Sequence, residues 1–166
     1  MLRKLSMGLI PLVLGACTSL SDLPAGTSFQ EIQAQFGHPT VACPPQSPTR
    51  FIWSQQPFGQ FAWAADINEQ QQLIQATQVL TDQEFAKLST GTWDQERVRC
   101  HFGPPAEVDR TPHKGVRMLV WSYRYKQNKA WDALMYVYFN DDGLVQLYHP
   151  GPDPLSLREE RGFFAF

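Results

Sequence analysis

The 166-residue chain has three cysteines, no cluster of basic residues and only one long apolar run, and each shortage excludes a class of function. Without a stripe of lysine and arginine, nucleic acid is not expected as a partner. No glycine-rich phosphate loop occurs, and none of the four histidines stands in a recognisable catalytic signature. Zinc-ligand spacings of the C-x₂-C or H-x₃-H kind are also missing. We therefore expect no enzyme activity, no cofactor and no metal site.

The one long apolar run lies at the start of the chain and ends at Cys17. Arg3 and Lys4 precede it, residues 5–14 are almost wholly apolar, and Leu14-Gly-Ala stands directly before Cys17. A basic start, a short apolar core and small residues at the end are typical of a secretory signal, which is too short to span a bilayer permanently. The ending resembles the lipobox of bacterial lipoproteins, in which the peptide is cut before the cysteine and that cysteine is acylated.

This resemblance predicts a signal peptide over residues 1–16, a lipid on Cys17 and a polar tether over residues 17–25. Thr18 follows the cysteine, where an aspartate is associated with retention in the inner membrane. The resemblance therefore implies a lipid anchor in the outer membrane and a body on its periplasmic face. The alternative is an ordinary signal peptide, with Cys17 incidental.

The two other cysteines, Cys43 and Cys100, form an even pair in an oxidising compartment. They are candidates for a disulfide. The alternative, which the sequence slightly favours, is two separate buried thiols, because the geometry that pairing needs is not readable from it.

The body of the chain contains one pattern twice, over residues 26–80 and residues 81–150. Each copy has a helix signature: a capping residue, two apolar residues four apart, a glycine and then a proline. These are Ser28, Ile32, Phe36, Gly37 and Pro39 in the first copy, and Thr92, Val98, Phe102, Gly103 and Pro105 in the second. A further capped helix is expected over residues 81–88.

Three strands follow the helix in each copy. The first copy has them at residues 50–55, 61–69 and 73–80, and the second at residues 117–123, 133–141 and 144–149. Alternation by two puts Phe61, Trp63, Ala65 and Ile67 on the helix-facing side, matching Ala133, Met135, Val137 and Phe139. The sequence therefore predicts an α+β protein of two tandem α-β-β-β repeats, whose antiparallel sheets carry their helices on one face.

The other side of each sheet is expected to be uncovered, and the two copies differ there. The first copy has Gln60, Ala62, Ala64 and Asp66 on that side, and the second has Asp132, Leu134, Tyr136 and Tyr138. Tyrosines are common in protein interfaces, so Leu134, Tyr136 and Tyr138 are the candidate partner face. The alternative is that these side chains pack against the other repeat or a loop.

The helix signature and the residues after it resemble the BamE/SmpA/OmlA family of small outer-membrane lipoproteins. The matching positions are Gly37, Pro39 and Trp53 in the first copy, and Gly103, Pro105, Trp121, Tyr123 and Gly143 in the second. The first copy is weaker, with Gln55 and Gln71 where the family has tyrosine and glycine. The best-known member is an accessory subunit of the β-barrel assembly machinery. The resemblance therefore implies a non-enzymatic lipoprotein whose partner is a periplasmic or outer-membrane protein, such as that machinery.

The family usually has one such unit, whereas this chain has two. Paired units resemble the architecture of the β-lactamase-inhibitor protein, in which repeats form one broad sheet. This departure supports an alternative function, an inhibitor or sequestering module for a soluble periplasmic protein. Residues 151–166, which end in Phe163-Phe-Ala-Phe166, are expected to form a tail.

Overall fold

Two antiparallel four-stranded sheets and a few short helices make up residues 19–113 and 115–156, the part of the chain that the computed structural model describes. The α+β class is confirmed. The predicted signal peptide, Cys17 and the Phe163–Phe166 segment lie outside the described residues.

The first half contains a 3₁₀ helix, one α-helix and the first sheet. The bounds are Leu20–Asp22 for the 3₁₀ helix, Phe29–Phe36 for α1, Val41–Cys43 for β1, Arg50–Ser54 for β2, Ala62–Ile67 for β3 and Leu73–Gln78 for β4. The second half contains two α-helices, a 3₁₀ helix and the second sheet. The bounds are Asp82–Ala86 for α2, Lys87–Ser89 for the 3₁₀ helix, Gln95–Phe102 for α3, Glu107–His113 for β5, Val116–Gln127 for β6, Trp131–Phe139 for β7 and Val145–Pro152 for β8. Both sheets are paired in chain order.

Each sheet has one strand more than the three that the pattern predicted. The additional strands are β1, which is too short to show alternation, and β5, which is mostly polar and contains Pro112. Both are edge strands, where proline and charged side chains are tolerated because one side makes no ladder hydrogen bonds.

The helix boundaries follow their capping residues. Ser28 caps α1, and α1 and α3 end at Gly37 and Gly103, whose φ angles of 76° and 86° favour glycine. The cap of α3 is Asp94, whose side chain accepts the backbone N–H of Arg97. The predicted cap at Thr92 is therefore wrong, because an aspartate two residues later satisfies the same orphan donors.

The α3 helix lies between the two sheets. Its buried Val98 and Phe102 share one core with Ile52 of the first sheet and Tyr123 and Tyr125 of the second. The α1 helix covers the opposite face of the first sheet, where Ile32 packs with four residues of β2 and β3. Those four are Phe51, Trp53, Ala65 and Ile67.

The uncovered side predicted for the first sheet is therefore wrong. Ala62 and Ala64 are 0% and 1% exposed, in the same core as α3. Their small side chains let a helix approach the sheet closely. Helices do not lie on one common face, because the first sheet has α1 on one side and α3 on the other.

The tether predicted over residues 17–25 and the tail boundary at residue 151 also need correction. Leu20 is 2% exposed and packs in the α1 core, and Gly26 donates its N–H to the carbonyl of Leu73. At the other end, β8 continues to Pro152, and Asp153 is buried beside Arg124. Residues 19–25 and 151–153 are thus parts of the folded body.

Candidate functional site

The outer face of the second sheet is the surface that the sequence singled out. Alternation along β7 turns Ala133, Met135, Val137 and Phe139 into the core with α3, so Leu134, Tyr136 and Tyr138 point the other way. Tyr138 forms a small outer cluster with neighbours on β6, β7 and β8. We call this surface the tyrosine face, consisting of Met118, Val120, Tyr136, Tyr138, Leu147 and His149.

His149 holds the two tyrosines in place. Its ring stacks on Tyr138 at 5.3 Å between centroids and lies 5.4 Å from the ring of Tyr136. Its Nδ1 is 3.1 Å from the carbonyl of Pro150, and a carbonyl can only accept, so Nδ1 carries the proton. Nε2 is then the acceptor for the Tyr138 hydroxyl at 3.0 Å. This arrangement gives the two rings fixed positions.

Burial raises the pKa of both tyrosine hydroxyls above the usual range. At Tyr136 the nearby carboxylates of Glu107 and Asp153 raise the pKa further. Both side chains are therefore neutral hydrogen-bonding groups at physiological pH, and neither is suited to act as a base.

Tyr136 lies over the backbone of β8 at Gly151. A Cβ at that position would come within 2.9 Å of the tyrosine ring, so any side chain there would displace it. An aromatic ring that covers a strand glycine from a neighbouring strand is a known stabilising pair in sheets. Tyr136 is thus half-buried, with the rest of its ring accessible.

The face is smaller than predicted, because Leu134 is 1% exposed and Tyr138 is also buried. Leu134 is the cross-strand neighbour of Arg124. The β2–β3 loop of the first half is hydrogen-bonded to Arg124, and so lies beside Leu134. The side-chain amide of Gln56 donates to the carbonyl of Arg124, and Arg124 donates to the carbonyl of Pro57. Leu134 therefore cannot contact a partner, and the prediction for it is wrong.

Arg124 is itself buried, and two carboxylates neutralise it. Glu107 lies 2.7 Å from Nη2, and Asp153 lies 3.1 Å from Nε. A buried arginine without such partners would be strongly destabilising. The cluster fixes the β2–β3 loop and the end of β8 to the second sheet.

A second polar cluster was not predicted from the sequence. Glu84 of α2 accepts hydrogen bonds from His101 of α3 at 2.7 Å and from Lys87 at 2.7 Å. Burial works against the Glu84 carboxylate, but these hydrogen bonds together hold its pKa below the usual range. Burial lowers the pKa of His101, and the positive charges of Arg50 and Lys87 add to this, against the opposing effect of Glu84. At neutral pH the contact is therefore a hydrogen bond from neutral imidazole.

The shift at His101 predicts that acid destabilises the fold. Below about pH 6.5 the unfolded chain gains a proton at His101 that the folded chain resists, so stability is complete above that pH and falls as the pH decreases. A His101→Gln variant should show a flatter dependence. Urea unfolding at about pH 7.5 and about pH 5.5 measures this, and equal losses in both proteins would contradict it.

Cys43 of β1 and Cys100 of α3 form a disulfide, with Cα atoms 5.8 Å apart. The bond crosses from the first sheet to the helix of the second half. Cys100 therefore has no free thiol for the adjacent His101 to activate.

The remaining motif residues lie around the two glycines that end the helices. Trp53 donates from Nε1 to the carbonyl of Gly37 at 2.9 Å, and Tyr123 donates from its hydroxyl to the carbonyl of Gly103 at 3.3 Å. Trp121 instead packs on Phe139. Pro39 and Pro105 follow the glycines, and Gly143 occupies a turn at φ 75°.

Within residues 19–113 and 115–156, no three His, Cys, Asp or Glu side chains are grouped to hold a metal ion. In the same part of the chain, no helix has both the length and the apolar character that a membrane span requires. Comparison with family models, with curated proteins and with solved structures finds no match to the chain.

Proposed function

We propose that this chain is a non-enzymatic outer-membrane lipoprotein that binds a periplasmic or outer-membrane protein and assists envelope assembly, with the β-barrel assembly machinery as the expected partner. The observation that carries the proposal is the tyrosine face. A half-buried tyrosine is held there against a histidine and a glycine, on the side of the second sheet away from α3.

Several physical properties of Tyr136 suit it to protein contact. Its ring offers apolar area and a hydroxyl that stays protonated, and the contacts with His149 and Gly151 already restrict it. Binding then requires little further loss of side-chain entropy. Tyrosines of this kind are frequent among residues that contribute most to interface energy.

We also infer that the two halves are copies of one unit, as the resemblance implies. In each half, the first residue of the last strand bonds to the backbone just before the helix. The N–H of Leu73 donates to the carbonyl of Thr27 in the first half, and the N–H of Val145 donates to the carbonyl of Trp93 in the second, both at 2.8 Å. In each half an asparagine side chain, Asn68 or Asn140, accepts two backbone N–H groups in the turn before that strand.

Within this repeat, Tyr123 is the counterpart of Trp53, since each side chain donates to the carbonyl of the glycine that ends its helix. The sequence pattern matches Trp53 and Trp121 to the same position of the family, but the ladder pairs Trp53 with Trp63 and Tyr123 with Met135. Because Trp63 and Met135 correspond between the copies, Trp121 is not the counterpart of Trp53. Such shared contacts favour a duplicated unit of the BamE/SmpA/OmlA type over two unrelated halves.

The test is capture of the partner from intact envelopes by crosslinking to the lipidated protein. We expect the wild type to recover barrel-assembly subunits, and Tyr136→Ala to weaken binding by about 2 kcal/mol, or about 30-fold. Val108→Ala is the matched control, because Val108 is an exposed apolar residue on β5, an edge strand of the same sheet. It should bind as the wild type does.

Two outcomes would contradict the proposal. Equal capture by the Tyr136→Ala and Val108→Ala proteins would place the interface elsewhere. Recovery of one stoichiometric soluble periplasmic protein, without assembly subunits, would favour the inhibitor alternative that the paired units suggest.

A further inference from the structure

The point at which the chain enters the folded body limits how far that body can lie from its lipid anchor. Cys17 precedes Ser19 by two residues, and Leu20 is already 2% exposed in the α1 core. Two residues of extended chain reach about 7 Å at most. If Cys17 is acylated, as the proposed function requires, the end of the body that carries Ser19 must lie against the bilayer.

Ser19 lies at the end of the first sheet where β2 finishes and β3 begins. It lines a surface cavity with Gln55, which follows β2, and with Trp63 of β3. The β2–β3 loop is therefore at the anchor end. This loop carries Phe58, which is 82% exposed, and Phe61, which is also exposed.

The hairpin between β6 and β7 reaches the same end. Gln60 of the loop donates its side-chain amide to the carboxylate of Asp132 in β7. The residue before Asp132, at the start of β7, is Trp131, which is 71% exposed. Among the described residues, the exposed phenylalanine and tryptophan side chains are these three, so we call Phe58, Phe61 and Trp131 the aromatic edge.

The loop that carries Phe58 is held firmly. The Gln56 side chain and the backbone of Arg124 exchange two hydrogen bonds, at 2.9 Å and 3.2 Å, and Arg124 donates to the Pro57 carbonyl at 2.7 Å. Arg124 is itself fixed by two carboxylates. Exposure of an aromatic ring to water is unfavourable, and an exposed apolar patch is typical of a binding surface. Because the loop is already fixed, docking of Phe58 would lose little conformational entropy.

Charges of both signs lie beside the aromatic edge, where Asp82 borders the same surface as Phe61 and two lysines. Lys129 is exposed in the turn after β6, and Lys126 pairs with Asp132 at 2.5 Å. Aromatic rings and lysines occur together at membrane interfaces, where the ring lies among the headgroups and the ammonium group meets anionic phosphates.

We propose that the aromatic edge docks on the bilayer surface and fixes the orientation of the body. Phe58 and Trp131 enter the headgroup region to a depth of about 5–10 Å, and Lys129 contacts anionic lipid. The β6–β7 hairpin then has its turn at the membrane, and its strands run away from it. The tyrosine face is thereby turned sideways, towards a protein beside it in the membrane.

The experiment uses the lipidated full-length protein in vesicles of phosphatidylethanolamine and phosphatidylglycerol. A photoreactive side chain is placed in the variant Phe58→p-benzoylphenylalanine. The matched control is Ile74→p-benzoylphenylalanine, since Ile74 is an exposed apolar residue at the start of β4. That point lies at the opposite end of the first sheet from the β2–β3 loop, because β4 begins beside the last residue of β3. We expect lipid adducts at position 58 and none at position 74, and a several-fold lower adduct yield at position 58 when Trp131→Ser and Lys129→Ser are added, because the lipid anchor remains while the docking contacts are lost.

Mass spectrometry of the N-terminus distinguishes failure of the membrane docking from failure of the proposed lipoprotein function. With an acylated Cys17, equal or absent lipid crosslinking at positions 58 and 74 would overturn the docking and leave the lipoprotein function standing. Crosslinking of position 58 only to protein in intact envelopes would overturn it too. An N-terminus at Thr18 or Met1 would overturn both the docking and the lipoprotein function.

Discussion

Phe102→Ala is expected to lower the free energy of unfolding by about 3–5 kcal/mol. The ring is fully buried on α3, stacks on Phe85 at 4.7 Å and lies 5.8 Å from Tyr123. Because α3 lies between the two sheets, the cavity would be surrounded by residues that both sheets hold in place. The residues around such a cavity cannot move in to fill it, so the loss of stability for each atom removed is large.

Phe36→Ala is the matched control for this substitution. Phe36 is the last residue of α1, as Phe102 is of α3, but it is only partly buried beside the first sheet. Phe36→Ala should therefore lower the free energy of unfolding by clearly less than Phe102→Ala does. Urea unfolding of both variants measures the difference, and equal losses would mean that α3 is not enclosed on two sides.

The local parts of the fold could be predicted from the sequence. Ser28 and Gly37 bound α1 as expected, because a capping side chain and a glycine at positive φ satisfy the helix ends with groups that are close in sequence. The helix-facing residues of β3 and β7 were also correct from Trp63 onward, since alternation is a property of the strand itself.

The packing of one half on the other was not predictable. In the sequence, Ala62 and Ala64 are small, neutral residues that indicate neither burial nor exposure. They are buried because α3 packs against them. The edge strands β1 and β5 were missed because β1 has only three residues, and β5 is mostly polar and contains Pro112, so that both depend on pairing with a neighbouring strand.

In the candidate partner face, too, local features could be predicted from the sequence and contacts between the halves could not. Alternation placed Tyr136 and Tyr138 on the correct side of β7, but the burial of Leu134 depends on a loop from the other half. The contact of His101 with Glu84 joins side chains of two different helices that are 17 positions apart in the sequence, and no spacing rule marks it. A pattern of charged and polar residues gives no distance between side chains from different elements.

Replacing both Cys43 and Cys100 by alanine is expected to destabilise the protein by about 4 kcal/mol, from the loop-closure entropy of a long cross-linked segment. The two residues are 57 positions apart, so the unfolded chain loses much freedom when they are joined. The bond also fastens β1 to α3, next to the 3.1 Å hydrogen bond from Arg50 to the carbonyl of Cys100. Its loss should weaken the contact between the halves more than either sheet alone.

Urea unfolding with and without a reductant tests this expectation. The wild type should lose stability on reduction, and the Cys43→Ala/Cys100→Ala variant should be insensitive to it. Combination with Phe102→Ala should be non-additive, because Cys100 and Phe102 are neighbours on α3 and support the same contact. A reductant effect near zero in the wild type would mean that the α3 core and the contacts of the β2–β3 loop with Arg124 and Asp132 hold the two halves together without the bond.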